Sequence, residues 1–201
     1  MTTNENYLRH WRQGDRIESL KQIIIGLDNT IDLLRKKIDE INWYDSGLFN
    51  EEVEPIYGLA FIAFQNYIVG CIKDSFDSTT PKLKLECFRL VPNIEGFERS
   101  SIELIATLAN YSKHKDEEIN QYLQENLKCF KLKWGNDIEI DDSPVFEGLS
   151  LLSEKWDLFE ILKIVTDWED KLWRYRYEKY GTTNLQTGIL LTYEGKTISR
   201  I

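Results

Sequence analysis

The sequence predicts one mainly α-helical domain, an up-and-down helical bundle with one or two short β-hairpins. Three observations carry that prediction. Apolar residues recur at steps of three and four over long stretches of the chain. Helix-start residues stand at the head of several of those stretches. The 201 residues are 42% hydrophobic and include six Trp, ten Tyr and nine Phe, enough large apolar side chains to fill a core without disulfides or metal.

The first helix is read from Ile17, Leu20, Ile24, Leu27, Ile31, Leu34, Ile38 and Ile41, an unbroken alternation of three- and four-residue steps. The run is long enough for a coiled coil between two copies, so a homodimer or self-associating scaffold is one reading. Ile23, Ile25 and Leu33 widen the apolar stripe, which favours packing inside a bundle. Asp45, Ser46 and Gly47 interrupt the pattern, and Pro55 then stands where a first helical turn would begin. The segment from Ile56 to Ile72 is apolar almost all round and should be central; with Gln65 and Asn66 inside it, it falls short of a membrane span.

Residues 77–99 hold Pro81, Pro92, Gly96 and the turn-like DSTTP, so this connection should be irregular with at most one short helix. Ser100 with Glu103 three residues on reads as a capping box opening a third long helix. That helix would turn Ile102, Ile105, Ala106 and Leu108 inward and carry Asn110 and His114 one turn apart. DEEINQYLQENLKCFKL continues as helix, and WGND then reads as the turn of a small hairpin between FKLKW and DIEID. Ser143 and Pro144 start a long helix on Val145, Leu149, Leu152, Trp156, Phe159, Leu162, Val165, Trp168, Leu172 and Tyr175, closed by Gly181. Residues 182–201 read as a β-hairpin extension. One domain over 1–201 is expected, since no repeat or linker interrupts it.

Net charge is −9 and the pI about 4.9, which opposes nucleic acid and anionic membranes as direct partners. Between residues 137 and 170 eleven acids face only Lys155 and Lys163, an excess of nine that equals the net charge of the whole chain. MTTNENYLRHWRQGDR has no apolar run or small-residue cleavage site, so it does not read as a secretory signal, and a cytoplasmic protein is expected. Cys71, Cys87 and Cys129 are odd in number and widely spaced, which reads as buried reduced thiols rather than a disulfide or zinc framework.

No Gly-rich phosphate loop, GxSxG elbow or HExxH pair is present, and two histidines, His10 and His114, are too few for a histidine-rich metal site. No cofactor and no metal are therefore expected. The run Trp173-Arg174-Tyr175-Arg176-Tyr177 could stack on bases, but helical spacing separates its rings from its arginines, which favours core packing.

Ala109-Asn110-Tyr111-Ser112-Lys113-His114 resembles the signature of HEPN domains, small helical bundles in which an Arg, usually followed by a polar residue, precedes a His by five positions. The resemblance covers Asn110 and His114 and implies a HEPN-like bundle. In active members two such motifs meet at a dimer interface and cleave RNA without metal, which makes a ribonuclease of a toxin or defence system the alternative function, with Asn110 and His114 in its site. Here Ala109 stands at the arginine's place, and a methyl group cannot stabilise a phosphoryl transition state. The favoured expectation is therefore a non-enzymatic binding protein: an immunity protein or antitoxin whose Asp137, Glu139, Asp141, Asp142, Glu147, Glu154 and Asp157 dock on a basic protein toxin such as a nuclease.

Overall fold

The computed structural model describes residues 3–76, 78–135 and 138–180, with the backbone alone over 3–15 and at 180. It is a mainly α-helical bundle. Its helices are α1 (Thr3–Glu40), α2 (Ser46–Phe76), α3 (Pro81–Phe88), α4 (Ser101–His114), α5 (Gln121–Cys129), α6 (Pro144–Leu152) and α7 (Leu158–Tyr180), with a 3₁₀ turn over Ile140–Asp142.

α1 and α2 form a long antiparallel pair whose register is pinned at both ends, by Lys37–Glu52 at 2.9 Å and Arg16–Asp74 at 3.2 Å. α2 is the hub, packing against α1, α4, α6 and α7. Its Val53, Ala60, Phe61, Phe64, Ile68 and Ile72 are fully buried, as are Ile102, Leu104, Ile105 and Leu108 of α4. The capping box at the head of α4 is present: Ser100 Oγ accepts from the Glu103 amide at 3.2 Å, and Glu103 Oε2 accepts from the Ser100 amide at 3.0 Å. α6 crosses α4 at Gly148, where a Cβ would stand 2.5 Å from Leu108 Cδ1, so the approach requires glycine.

Several features differ from the sequence expectations, among them the stretch of residues 117–120, which lies outside any helix. Pro55 lies inside α2 rather than at its start. Asp45 opens the helix instead, its Oδ1 accepting from the Leu48 amide at 3.0 Å. Proline removes the bond that its N–H would have made to the Glu51 carbonyl, a loss tolerated where both residues are exposed. Because α2 begins ten residues before Ile56, it is, at 31 residues, long and apolar enough by length and composition to cross a membrane; 56% of its most apolar window is buried within the bundle.

The expected long helix from Ser143 is broken at residues 153–157. Ser153 is extended (φ −152°) and Trp156 left-handed (φ 57°). Ser153 Oγ accepts from the Asp157 amide at 3.0 Å and donates to Glu160 Oε2 at 2.5 Å, while Asp157 Oδ1 accepts from the Phe159 amide at 2.7 Å. These bonds restart the chain as α7. The left-handed conformation costs a bulky residue about 1–2 kcal/mol. It is held by ring stacking of Trp156 on Phe146 (centroids 4.8 Å apart), an edge contact with Tyr57 (6.2 Å), and the indole N–H donated to Ser150 Oγ (2.9 Å).

The hairpin expected around WGND does not form among the described residues. The FKLKW segment closes α5 instead: the Lys131 amide bonds the Lys128 carbonyl at 3.0 Å, and the Leu132 amide bonds the Leu127 carbonyl at 3.1 Å, a Schellman cap with Lys131 at φ 58°. Leu127 and Leu132 are both buried, and a backbone engaged in that cap is not free to pair as a strand. Lys131→Gly should therefore raise stability by about 0.5–1 kcal/mol in denaturant unfolding, because glycine adopts this conformation without the Cβ penalty; a loss of stability would refute that account. The 182–201 extension and the Gly181 cap lie outside the described residues.

Finally, Ile23, Ile25 and Leu33 do not join the core. They are exposed at 49%, 39% and 63%, since α2 and α7 cover only the Leu20, Ile24 and Ile31 side of α1. Cys71 and Cys87 are buried thiols as expected, whereas Cys129 is exposed.

Candidate functional site

The acid-rich segment folds as the 3₁₀ turn, α6 and the turn that leads into α7. Glu139, Asp141, Asp142 and Glu154 are exposed, and Glu147 and Asp157 half-buried; Asp137 lies outside the described residues. Asp142 stands 3.5 Å from Lys133, and Asp141 accepts from Asn50 Nδ2 at 2.7 Å, which ties the turn to the start of α2. Glu139, Glu147, Glu154 and Asp157 form no ion pair with a lysine or arginine among the described residues. Further along α7, Asp167 pairs with Lys163 at 2.5 Å.

α1 adds two carboxylates that sequence reading missed. Asp28 is pushed above the usual carboxylate range by partial burial and then by the charges of Asp32 and Asp157, against an opposing pull from Arg35. Arg35 is itself engaged by Asp32 at 2.8 Å. The fold thus gathers Asp28, Asp32 and Asp157 around Tyr57, whose hydroxyl pKa rises to about 12, chiefly through burial. No local signal in the sequence joins residues so far apart. The folded state holds the Asp28 proton more tightly than the unfolded chain does, so stability declines as pH rises through that raised value. Asp28→Asn should be the more stable protein at neutral pH, by less than about 0.5 kcal/mol after solvent screening. The advantage should fade below the ordinary value of 3.8, and thermal unfolding across pH would read it.

The Asn110 and His114 pair is placed on one helix but not joined. Ala109, at the position of the arginine in the HEPN signature, is fully buried. Asn110 Oδ1 accepts from Gln65 Nε2 at 2.9 Å, whereas His114 is exposed and meets Glu117 at 3.0 Å through Nδ1. Gln65 bridges α2 to α4, its amide N–H₂ also donating to the Ala106 carbonyl at 3.1 Å and its Oε1 accepting from Lys113 Nζ at 2.5 Å.

Three carboxylates are buried, of which the sequence singles out Glu103 alone, as a helix cap. Glu54 accepts from Ser143 Oγ at 2.6 Å and pairs with Lys115, tying α2 to the end of α4 and the head of α6. Glu103 receives Arg99 at 2.8 Å and Arg89 at 3.3 Å. Glu169 is hydrogen-bonded by Tyr67 Oη at 2.5 Å, with Cys71 Sγ 3.8 Å away. Burial pushes the Tyr67 hydroxyl and the Cys71 thiol well up, helped next by Cys71 in the case of Tyr67 and by the Glu169 carboxylate in the case of Cys71, so both stay protonated. Each of these carboxylates bonds residues on other elements, which makes them fasteners of the bundle. No group of three or more His, Cys, Asp or Glu side chains is placed to hold a metal among the described residues.

Compared with known proteins, the chain matches no family model, no curated protein and no solved structure.

Proposed function

We propose that the chain is a non-catalytic cytoplasmic binding protein, an immunity protein or antitoxin that docks its acidic surface on a basic toxin such as a nuclease. The observation that carries this reading is a set of carboxylates with no basic partner among the described residues, exposed Glu139 and Glu154 and half-buried Glu147 and Asp157, the last close enough to help raise the Asp28 carboxyl. A folded chain gains nothing by crowding like charges, whereas a cationic partner that covers them relieves the repulsion. Complementary fields also speed association. A nuclease must itself be positive where it holds its substrate, so an acidic protein can occupy that same surface.

The test is co-expression with the toxin-like protein encoded beside this chain's gene. Neutralisation of its toxicity is expected, with affinity that falls steeply as salt rises. The triple variant Glu139→Lys, Asp141→Lys, Glu154→Lys should weaken the complex at least about a hundredfold, with only a small drop in thermal midpoint from the exposed Asn50 bond that Asp141 gives up. The proposal fails if the triple variant binds as well as the parent. It also fails if the chain alone is toxic and His114→Ala abolishes that toxicity, an outcome that would assign it to ribonuclease chemistry.

A further inference from the structure

α2 is apolar enough by composition to be wrapped on every side, yet 56% of its most apolar window is buried within the bundle. The uncovered remainder is one face. α1 flanks it on one side, where Arg16 meets Asp74 at 3.2 Å and Lys37 meets Glu52 at 2.9 Å, with Gly70 lying against the Arg16 guanidinium. α4 flanks it on the other, where a Cβ on Gly58 would stand 2.9 Å from Ser112 Oγ and Gln65 reaches the Ala106 carbonyl at 3.1 Å. Between the two flanks helical spacing places Glu51, Pro55, Leu59, Ile62, Val69 and Lys73, in steps of three, four or seven. Leu59 is 55% exposed, Ile62 and Val69 are half-buried, and the other three are exposed. Ile23, two helical turns along α1 from Arg16 and so on the same side of that helix, is 49% exposed and widens the apolar strip.

The charges on this face are laid out symmetrically. Glu51 stands eleven residues before Ile62 and Lys73 eleven residues after it, so the stripe is acidic at one end, apolar in the middle and basic at the other. Its ends lie about 33 Å apart at 1.5 Å of rise per residue, too far for Glu51 and Lys73 to neutralise each other within one copy. In a second copy laid antiparallel on the first, with Ile62 against Ile62, each Glu51 falls opposite a Lys73 and each Pro55 opposite a Val69. Such a stripe is complementary to itself, as the interface of a two-fold dimer must be. A parallel arrangement would instead set like charges opposite each other at both ends, which opposes association.

We propose that two copies of the chain pair through this face of α2, antiparallel about a two-fold axis at Ile62. Covering Leu59, Ile62, Val69 and the flank of Ile23 removes apolar surface from water and supplies the affinity. The two Glu51–Lys73 pairs at the rim set the direction of pairing more than its strength. The pairing accounts for a helix as apolar as α2 keeping a face that no other helix among the described residues covers. It is made by α2 and not by the coiled coil that the heptad pattern of α1 allows. None of its residues belongs to the acidic docking surface, so it does not depend on the function proposed for that surface.

The test is sedimentation velocity of the full chain over a range of concentration, in which a species of twice 23.8 kDa is expected. Ile62→Glu sets two carboxylates face to face on the axis and should weaken the dimer at least about a hundredfold. Leu59→Glu, at a more exposed position, should weaken it about tenfold and guards against a folding defect in the first variant, with far-ultraviolet circular dichroism as the control. Glu51→Lys and Lys73→Glu should each weaken it about three- to tenfold, whereas an equimolar mixture of the two, or the double variant, should pair as well as the parent. A chain that stays monomeric, or a dimer that Ile62→Glu and Leu59→Glu leave intact, would overturn the proposal. So would single charge variants that pair as well as the parent, or a double variant no better than either. Binding of a monomer to phosphatidylcholine vesicles that Leu59→Glu abolishes would also overturn it, and would assign the face to a lipid surface.

Discussion

Trp168→Ala is expected to cost about 3–5 kcal/mol and to lower the thermal midpoint by roughly 10 °C. Trp168 is among the largest fully buried side chains of the bundle, and its indole N–H donates to the Cys87 carbonyl at 2.8 Å, fastening α7 to α3. Truncation removes the ring, leaves a cavity between elements that cannot close over it, and strips a buried carbonyl of its donor. Trp168→Phe separates the two contributions: it keeps most of the apolar volume and loses only the hydrogen bond, so it should cost about 1–2 kcal/mol. Denaturant unfolding of both variants measures the difference. Equal losses in the two would mean that the hydrogen bond, and not the packed ring, dominates.

Lys115→Met is expected to destabilise by about 2–4 kcal/mol although it adds apolar surface. Glu54 is 6% exposed and has two fasteners, Ser143 Oγ and the Lys115 ammonium. Removing the cation leaves a buried carboxylate with one hydroxyl to satisfy it, and breaking one side of such a pair costs far more than the pair contributes. The double variant Glu54→Leu, Lys115→Met should recover much of that loss, because nothing charged is then stranded. A double-mutant cycle in denaturant gives the coupling; single-variant losses that simply add would show that the two residues act independently. The site matters beyond stability, since Ser143 also accepts from the Val145 amide at 3.3 Å to start α6, the helix that carries Glu147.

Legibility in the sequence followed the range of the physics. The capping box at Ser100 and Glu103 and the start of α6 at Ser143 and Pro144 were readable because a cap is completed within one turn of chain. The break at 153–157 was not. Leu152, Trp156 and Phe159 keep helical spacing across it, and what overrides the period is a local cap at Ser153 and Asp157 combined with a Trp156 ring drawn onto Phe146 and Tyr57. Pro55 misled in the same way: proline marks a helix start by preference, but a solvent-facing proline is tolerated inside a helix whose other side is the core.

The candidate site divided along the same line. A surplus of carboxylates between residues 137 and 170 is a property of composition, and the exposure of Glu139, Asp141, Asp142 and Glu154 follows from the cost of burying a charge without a partner. That Asp28 and Asp32 join Asp157 is a consequence of how α1 lies against α7, which Asp157 directly precedes, and no window of residues contains that. Asn110 and His114 were paired by spacing, yet the fold gives them different partners, because Gln65 reaches Asn110 from α2 while Glu117 takes His114 from its own chain neighbourhood.

By itself the sequence determined that the chain is a mainly α-helical bundle, where several of its helices begin, and that its negative charge is concentrated in one stretch. Those properties arise from apolar periodicity, from capping bonds closed within a few residues, and from counting. Tertiary structure alone decided that Ile23 and Leu33 face outward while Ile24 and Ile31 face inward, that three buried carboxylates fasten the bundle, and which acids share a surface. Each of those depends on which helix lies opposite, and burial and electrostatics are set by neighbours in space, not by neighbours along the chain.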